Sequence, residues 1–149
     1  MQILGVGALS KMHTELADKV IYSLMLSDSQ ITMNQLLEKR IRIRFLGEIN
    51  CLNCGKRTKK SFSQGFCYPC FKRLPQCDVC IMSPEKCHFQ EGTCRDSGWG
   101  ERNCFVPHTV YLANSSGVKV GITRGTQVPT RWIDQGAIQA LPIFNVQTR

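Results

Sequence analysis

The chain has 149 residues, 42% of them hydrophobic, and carries 19 Lys or Arg against 11 Asp or Glu, a net charge of +8. This length favours one domain or two to three small modules, and no apolar run approaches the roughly 20 residues of a membrane-spanning helix, so we expect no membrane partner. The beginning of the chain, MQILGVGALSKM, has no basic stretch before its apolar run, which predicts a cytoplasmic protein without a secretory signal.

The first 50 residues contain no cysteine and are predicted to form a small β-rich module, residues 1–50. The segment VIYSLML (20–26) has the composition of a strand. The segment ITMNQLLEKR (31–40) fits either a short helix or a strand followed by a helical turn. Up to residue 39, these segments therefore predict secondary structure but contain no candidate functional residue.

The segment RIRIRF (40–45) alternates strictly between arginine and apolar residues, which predicts a strand with Arg40, Arg42 and Arg44 on one face. Residues on the same face of a strand are roughly 6.5–7 Å apart. That distance is near the spacing of phosphates along one nucleic-acid strand, so the three arginines are candidate phosphate contacts. The alternative is a half-buried strand with a solvated arginine face.

Two CxxC pairs, separated by twelve residues, lie in CLNCGKRTKKSFSQGFCYPCF (51–71). Two such turns supply four thiolates at the tetrahedral corners that Zn²⁺ accepts. Nine cysteines in a reducing compartment also argue against a fully paired set of disulfides, and a redox pair would need a surrounding βαβ pattern. We therefore predict a structural zinc ion in a zinc ribbon or treble-clef-like module over residues 51–107. Its predicted ligands are Cys51, Cys54, Cys67 and Cys70.

A second cysteine cluster follows, and a third CxxC pair begins it. We predict a second structural zinc ion there, for which two ligands beyond the pair are needed. Its predicted ligands are Cys77, Cys80, Cys87 and Cys94, with Cys104 or His88 as substitutes for either of the last two. The alternative is that some of these thiols are buried small hydrophobes.

The positive charge is concentrated between residues 39 and 73, where ten Lys or Arg face a single acid, Glu48, for a local net charge of +9. A localised field of one sign is the expected footprint of a surface that binds a polyanion, and a solvated basic surface is the alternative. We predict phosphate contacts, to RNA or DNA without distinction, from the arginines of 40–45 and from the loop between the first two CxxC pairs. The loop residues concerned are Lys56, Arg57, Lys59 and Lys60.

Residues 108–149 have a different pattern. TVYLANSSGVKVGIT (109–123) predicts two strands around the turn NSSG, and VPTRWIDQGA (128–137) predicts a short helix. IQALPIFNVQT (138–148) returns to strand composition. The expected order is ββαβ, and the whole chain is expected to be an α+β protein.

Several motifs together resemble a known but uncharacterised family. They are GEINCLNCGKRTKKSF, GFCYPCF, CDVC, PEKCHF, GTCR and VYLANSSGVKVGITR with PTRWIDQGA, which together cover nearly the whole chain. The resemblance is to bacterial cysteine-rich, zinc-binding proteins classed as a domain of unknown function. It implies a metal but no established activity.

Residues 108–149 also resemble the opening of the GIY-YIG nuclease domain. That resemblance implies catalytic roles for Tyr111 and Arg131, and a Mg²⁺ ion if this chain is a nuclease. Lys119 stands in place of the second motif tyrosine, which makes it a further candidate phosphate contact, and Gln135 stands where many members have histidine. The glutamate that binds metal in that family lies on a later helix without a counterpart here. We therefore expect an incomplete domain that is not an enzyme unless a longer form exists.

A third alternative is a zinc-stabilised adaptor that binds a protein. The predicted ββαβ segment leaves several apolar residues without a covering helix, unless a partner or the first module supplies one. They are Ile138, Leu141, Ile143 and Phe144.

Overall fold

The computed structural model describes residues 2–27 and 29–149. The protein has the expected α+β composition, with two three-stranded sheets and, between them in the chain, a cysteine-rich region of short helices. Within residues 2–27 and 29–149, no helix is both long enough and apolar enough to cross a bilayer.

The N-terminal sheet contains β1 (His13–Leu16), β2 (Val20–Leu26) and β3 (Ser29–Thr32), which pair antiparallel in that order. A 3-10 helix, Met33–Leu36, follows β3. The Asn34 side chain fixes this helix against β2, because it accepts from the Tyr22 N–H and donates to the Val20 carbonyl, both at 2.8 Å. The strand predicted at 20–26 is confirmed, and 31–40 takes the second of its two predicted forms.

The strand predicted at residues 40–45 is wrong, because this segment is in no strand and pairs with no neighbouring strand. The apolar side chains that were expected to turn inward are exposed, Ile43 by 74% and Phe45 by 70%. Alternation describes any extended backbone, whereas a strand also requires the hydrogen bonds of a partner. Among the described residues this segment has no partner strand, so the arginines lie on an irregular, solvated segment.

The cysteine-rich region contains α1 (Tyr68–Arg73), three 3-10 helices at Pro75–Cys77, Val79–Ile81 and Pro84–Lys86, and α2 (Ser97–Asn103). Pro69 lies in the first turn of α1, where its missing N–H is not needed. Asp96 caps α2 by accepting from the Trp99 N–H at 2.8 Å.

The C-terminal sheet contains β4 (His108–Asn114), β5 (Val118–Arg124) and, after α3 (Thr130–Asp134), β6 (Gln139–Val146). Its strands are antiparallel in the order β5-β4-β6, so the predicted ββαβ order is confirmed. Tyr111 at the centre of β4 is 1% exposed, and its ring packs 5.7 Å from that of Trp132 on α3. Gly121 faces it on β5, where a Cβ would lie 2.5 Å from the Tyr111 ring.

Helix α3 also joins the two sheets. Asp134 accepts from the Lys11 ammonium at 2.6 Å and from the Thr14 hydroxyl at 3.3 Å, and β1 packs against α3. The N-terminal sheet therefore lies on the α3 side of the C-terminal sheet and leaves part of its other face open. Pairing places seven apolar residues on that face, which we call the apolar sheet face: Val110, Leu112, Val118, Val120, Ile122, Leu141 and Phe144. All except the first two are exposed.

Candidate metal centre

The four cysteines of the first two CxxC pairs converge on one point. The sulfur atoms of Cys51, Cys54, Cys67 and Cys70 all lie within 4.8 Å of one another. The Cys54 and Cys67 sulfurs are 3.8 Å apart. With Zn–S bonds of about 2.3 Å, the edge of a regular tetrahedron is about 3.8 Å, whereas a disulfide would need about 2.05 Å. The cluster therefore has the size and donor chemistry of a Cys₄ zinc site.

Local backbone structure positions each pair. The Cys51 N–H donates to the Lys56 carbonyl at 3.0 Å and the Gly55 N–H to the Cys51 carbonyl at 2.8 Å, which closes a tight turn around the first pair. Gly55 has φ +70, a conformation that glycine adopts without steric cost. In the second pair, Cys67 is the N-cap residue of α1 and Cys70 lies within that helix, so the predicted turn opening a short helix is confirmed.

The pKa values of Cys51 and Cys70 are shifted in opposite directions. Burial raises the pKa of Cys51, but backbone N–H groups of Cys67, Cys54 and Asn53 outweigh it and lower the pKa to about 6. The Asn53 amide lowers the pKa of Cys70, yet burial and the other three thiols together raise it to about 12. Cys51 thus ionises more readily than Cys70, because backbone N–H groups stabilise the Cys51 thiolate while burial and the neighbouring thiols favour the neutral form of Cys70. A bound divalent cation would stabilise the thiolate form, which is why such a site favours a metal.

A few residues form the small apolar environment of the four cysteines. Cys51, Cys67 and Cys70 are buried, and two partly buried side chains, Phe66 and Leu74, pack against them. Asn53, inside the first CxxC pair, donates to the Cys70 sulfur at 3.4 Å. Sequence reasoning missed Asn53, although its place between two ligands is a signal for this second layer of contacts.

The basic loop, residues 56–60, extends from this site. The four cations named from the sequence are all exposed, and so are the three arginines of 40–45. The guanidinium of Arg57 lies 3.8 Å from Glu48 and donates to the Gly47 carbonyl at 3.4 Å, so Glu48 partly neutralises one of the loop charges. Beside the loop, Lys60 lies 5.3 Å above the centre of the Phe62 ring.

The aromatic residues near this loop form a cluster of their own. The Phe62 ring lies 5.4 Å from that of Tyr68 and 5.5 Å from that of Phe71, to which it is nearly parallel. Phe62 and Phe71 are half-buried whereas Tyr68 is exposed, so the cluster packs the small region and presents one ring to solvent.

An ion pair between the buried Asp78 and the exposed Arg95 lies beside the second cysteine cluster. Asp78, which the sequence reasoning missed, lies within Cys77–Cys80 and is 9% exposed. Its carboxylate accepts from the Arg95 guanidinium at 2.7 Å and lies 3.4 Å from His88. Arg95 also donates to the Phe71 and Leu74 carbonyls at the end of α1, at 3.0 and 3.1 Å. This arginine therefore connects the two cysteine clusters.

Ligand atoms of Asp78, Cys80 and His88 lie within 4.8 Å of one another. Burial raises the pKa of Cys80, as do the charges of Asp78 and of the neighbouring thiols of Cys87, Cys104 and Cys94. Cys80 thus lies between a carboxylate–histidine pair and a group of three further cysteines.

The C-terminal residues with predicted catalytic roles differ in their exposure. The Tyr111 hydroxyl is buried and accepts from the Gln135 amide at 2.9 Å, whereas Arg131 is exposed on α3. Lys119 is exposed on β5, in the second sheet rather than beside the basic loop, and donates to the Ser116 hydroxyl at 3.2 Å. Asp134, the one acid of residues 108–149, is engaged by Lys11.

Comparison with known proteins places the chain in a family. The model of the family "Protein of unknown function (DUF2797)" matches residues 38–149, which include both cysteine clusters and the whole C-terminal sheet. No curated protein and no solved structure matches the chain.

Proposed function

The chain belongs to the DUF2797 family of proteins of unknown function, and from its own residues we propose that it is a zinc-stabilised protein that binds the phosphate backbone of nucleic acid. We also propose that the chain consists of three regions, residues 1–50, 51–107 and 108–149, of which the second is treble-clef-like. The proposed location is cytoplasmic. Zinc at the Cys₄ site would act structurally, since four thiolates leave no coordination position for a reacting water.

The main support for this proposal is the position of the positively charged side chains. Seven exposed cations lie on residues 40–60, against a single acid in that span, Glu48. The loop that carries four of them begins at the turn around Cys51 and Cys54 and is tied back by a hydrogen bond from the Thr58 N–H to the Ile49 carbonyl at 2.8 Å. A metal-held loop loses little conformational entropy on binding, so its charges are available to phosphates at low cost.

The test measures affinity against salt concentration for a single-stranded RNA, a single-stranded DNA and a duplex DNA of equal length. Wild type is compared with Lys56→Ser/Lys59→Ser and with the charge-matched control Lys19→Ser/Lys86→Ser, whose lysines are exposed elsewhere. Each phosphate contact contributes about 0.9 to the slope of log K against log salt for a duplex and about 0.7 for a single strand. Loss of two contacts should therefore flatten the slope by about 1.8 or about 1.4.

Equal slopes for the two double variants would contradict the proposal, because net charge alone would then explain the binding. Affinity that does not change with salt would contradict it as well. The three probes also decide between RNA and DNA, which the loop chemistry does not.

The alternative of a GIY-YIG-type nuclease receives less support from the geometry. Metal-assisted hydrolysis needs a carboxylate for the metal, and Asp134 is 13% exposed and already paired with Lys11. We therefore do not extend the proposal to cleavage. Nicking of DNA or RNA in Mg²⁺ that is lost in Arg131→Ala would reverse this choice.

A second candidate function, a protein-binding adaptor, is favoured by the apolar sheet face. Five of its residues are exposed, among them Val120 by 73% and Phe144 by 62%. We infer that a protein partner would cover this face. A complex that survives nuclease treatment, is lost in Val120→Ser/Phe144→Ser and persists in the control Ile43→Ser would support it. A complex lost on nuclease treatment would count against it.

A further inference from the structure

A cavity of about 20 Å³ lies between the 3-10 helices that follow α1 and the helix α2. Cys80, Cys87, Cys94 and Cys104 all contribute to its wall. A space of roughly 10–15 Å³ is the least that holds one water molecule. This cavity is therefore large enough for a single ion or a single water and too small for an organic ligand.

The chemistry of the wall favours a cation over water. Asp78 and Arg95 also line the cavity, but they are paired with each other at 2.7 Å, and the rest of the wall is mainly apolar, with Ile81, Phe89, Trp99 and Phe105. A buried water needs two to four good hydrogen-bond partners, and sulfur is a weak one. Four cysteines around one small space are instead the donor type that selects Zn²⁺. Their sulfur atoms do not all lie within 4.8 Å of one another, so a bound ion would draw them closer together.

Short structural elements position the four cysteines. Cys80 lies within the 3-10 helix Val79–Ile81, Cys87 directly follows Pro84–Lys86, and the other two flank α2. Within α2, a Cβ on Gly100 would lie 3.7 Å from the Cys94 sulfur, and the Cys104 N–H donates to the Gly100 carbonyl at 2.7 Å. Because Gly100 has no side chain, the backbone of α2 lies close to the cavity at this position.

Arg149 links two of these cysteines that are distant in the chain. Its backbone N–H donates to the Cys104 carbonyl at 3.1 Å, and its guanidinium donates to the Cys80 carbonyl at 2.8 Å. Because the same residue bonds both backbones, Arg149 holds Cys80 and Cys104 near one another, and both line the same cavity.

The neighbouring set of Asp78, Cys80 and His88 is a weaker candidate for a metal. Asp78 already accepts from the Arg95 guanidinium at 2.7 Å, and a cation there would have to compete with that positive charge. One ring nitrogen of His88 contacts Asp78 and the other contacts the Thr93 hydroxyl at 2.8 Å. Hydrogen bonding therefore accounts for this group without a metal.

We propose that the protein holds a second zinc ion through Cys80, Cys87, Cys94 and Cys104. Cys77 is then a buried thiol outside the ligand set, although it forms a CxxC pair with Cys80. It is 7% exposed and does not contribute to the cavity wall. This site is separate from the Cys₄ site at residues 51–70 and does not depend on nucleic-acid binding.

The first test counts zinc per chain by elemental analysis on protein purified without added metal. We expect two ions in wild type and in Cys77→Ser, and one ion in Cys80→Ser/Cys104→Ser. Two ions in the double variant, or a single ion in wild type or in Cys77→Ser, would overturn the proposed ligand set.

The second test needs no substitution and therefore remains decisive if the double variant fails to fold. Cys87 is exposed, so burial does not protect it from an alkylating reagent. We expect Cys87 to resist alkylation in the zinc-loaded protein, to be labelled after chelation and to regain protection when zinc is returned, as the exposed Cys54 of the other site should. Labelling of Cys87 in zinc-loaded protein while Cys54 stays protected would overturn the proposal. Neither test involves nucleic acid, so this inference and the proposed function fail separately.

Discussion

Removing zinc from the Cys₄ site should unfold the region around it while leaving the C-terminal sheet intact. The substitution Cys51→Ser/Cys70→Ser takes away two of four thiolates, and both side chains are buried at the centre of the site. Serine keeps the size of cysteine and loses the thiolate, so the variant removes the metal bonds with little change in packing.

The magnitude follows from how little else holds this region. Among the described residues, Phe66 and Leu74 are the partly buried side chains packed on the cysteine cluster, and the half-buried Phe62 and Phe71 pack beside it. Full burial of such a side chain contributes about 1.5–3 kcal/mol, so four half-buried ones together supply about 3–6 kcal/mol. A structural zinc ion contributes about 10–16 kcal/mol in small metal-dependent folds. The metal therefore stabilises this region more than its apolar packing does, and residues 50–74 should not stay ordered without it.

Amide hydrogen exchange measures this region by region. The amides of Gly55, Thr58 and Leu74 donate to backbone carbonyls within this region or, for Thr58, of the adjacent Ile49, and we expect each to lose its protection in the variant. Amides of β4 that pair with β5 and β6 should keep theirs, which provides the internal control. Cys77→Ser is the matched variant, because it also replaces a buried cysteine and should leave all of these amides protected.

Retained protection of the three amides would refute the reasoning, provided that elemental analysis shows one zinc ion fewer than in wild type. In that case hydrogen bonds and packing would hold the loop by themselves, and the metal would be incidental to the basic surface.

Three further predictions concern stability, each measured by denaturant unfolding. Replacing Arg95 by Leu removes the guanidinium from the buried Asp78 carboxylate, which keeps His88 at 3.4 Å and the Val79 N–H at 2.6 Å. We expect a cost of about 1–3 kcal/mol, and a cost below about 0.5 kcal/mol would contradict this. Gly121→Ala places a Cβ 2.5 Å from the Tyr111 ring and should cost about 1–3 kcal/mol, whereas an unchanged midpoint would show that the ring moves freely. Burial lowers the pKa of His108, so on acidification the unfolded chain binds a proton at this residue before the folded chain does. The free energy of unfolding should therefore be highest above about pH 6.5 and fall as the pH drops through the pKa of the folded state. This fall should be steeper in wild type than in His108→Gln.

Local patterns in the sequence predicted most of the elements. The hairpin around NSSG, the short helix before Gly136 and the last strand all occur where composition and turn residues placed them. Such signals are carried by neighbouring residues, because a turn or a helix end is decided within a few positions. For the same reason the spacing of the first two CxxC pairs was sufficient to predict the convergence of Cys51 and Cys70.

Such local patterns could not predict contacts between residues that are far apart in the chain. RIRIRF has the alternation of a strand, but whether a strand forms depends on a partner that the segment itself does not encode, and none is present for it among the described residues. The role of Arg95 was missed because it reaches back to Asp78 and to the end of α1, more than fifteen positions earlier.

By itself, then, the sequence determined that this is a small, basic, cysteine-rich α+β protein with one Cys₄ site suited to zinc and a positively charged loop beside it. Only the tertiary structure decided that residues 40–45 stay unpaired, that α3 joins the two sheets, and that Cys104 rather than Cys77 shares a cavity with Cys80. The physical reason is the same in each case. Spacing constrains residues a few positions apart, whereas the choice among several distant cysteines or strands depends on how the intervening chain packs.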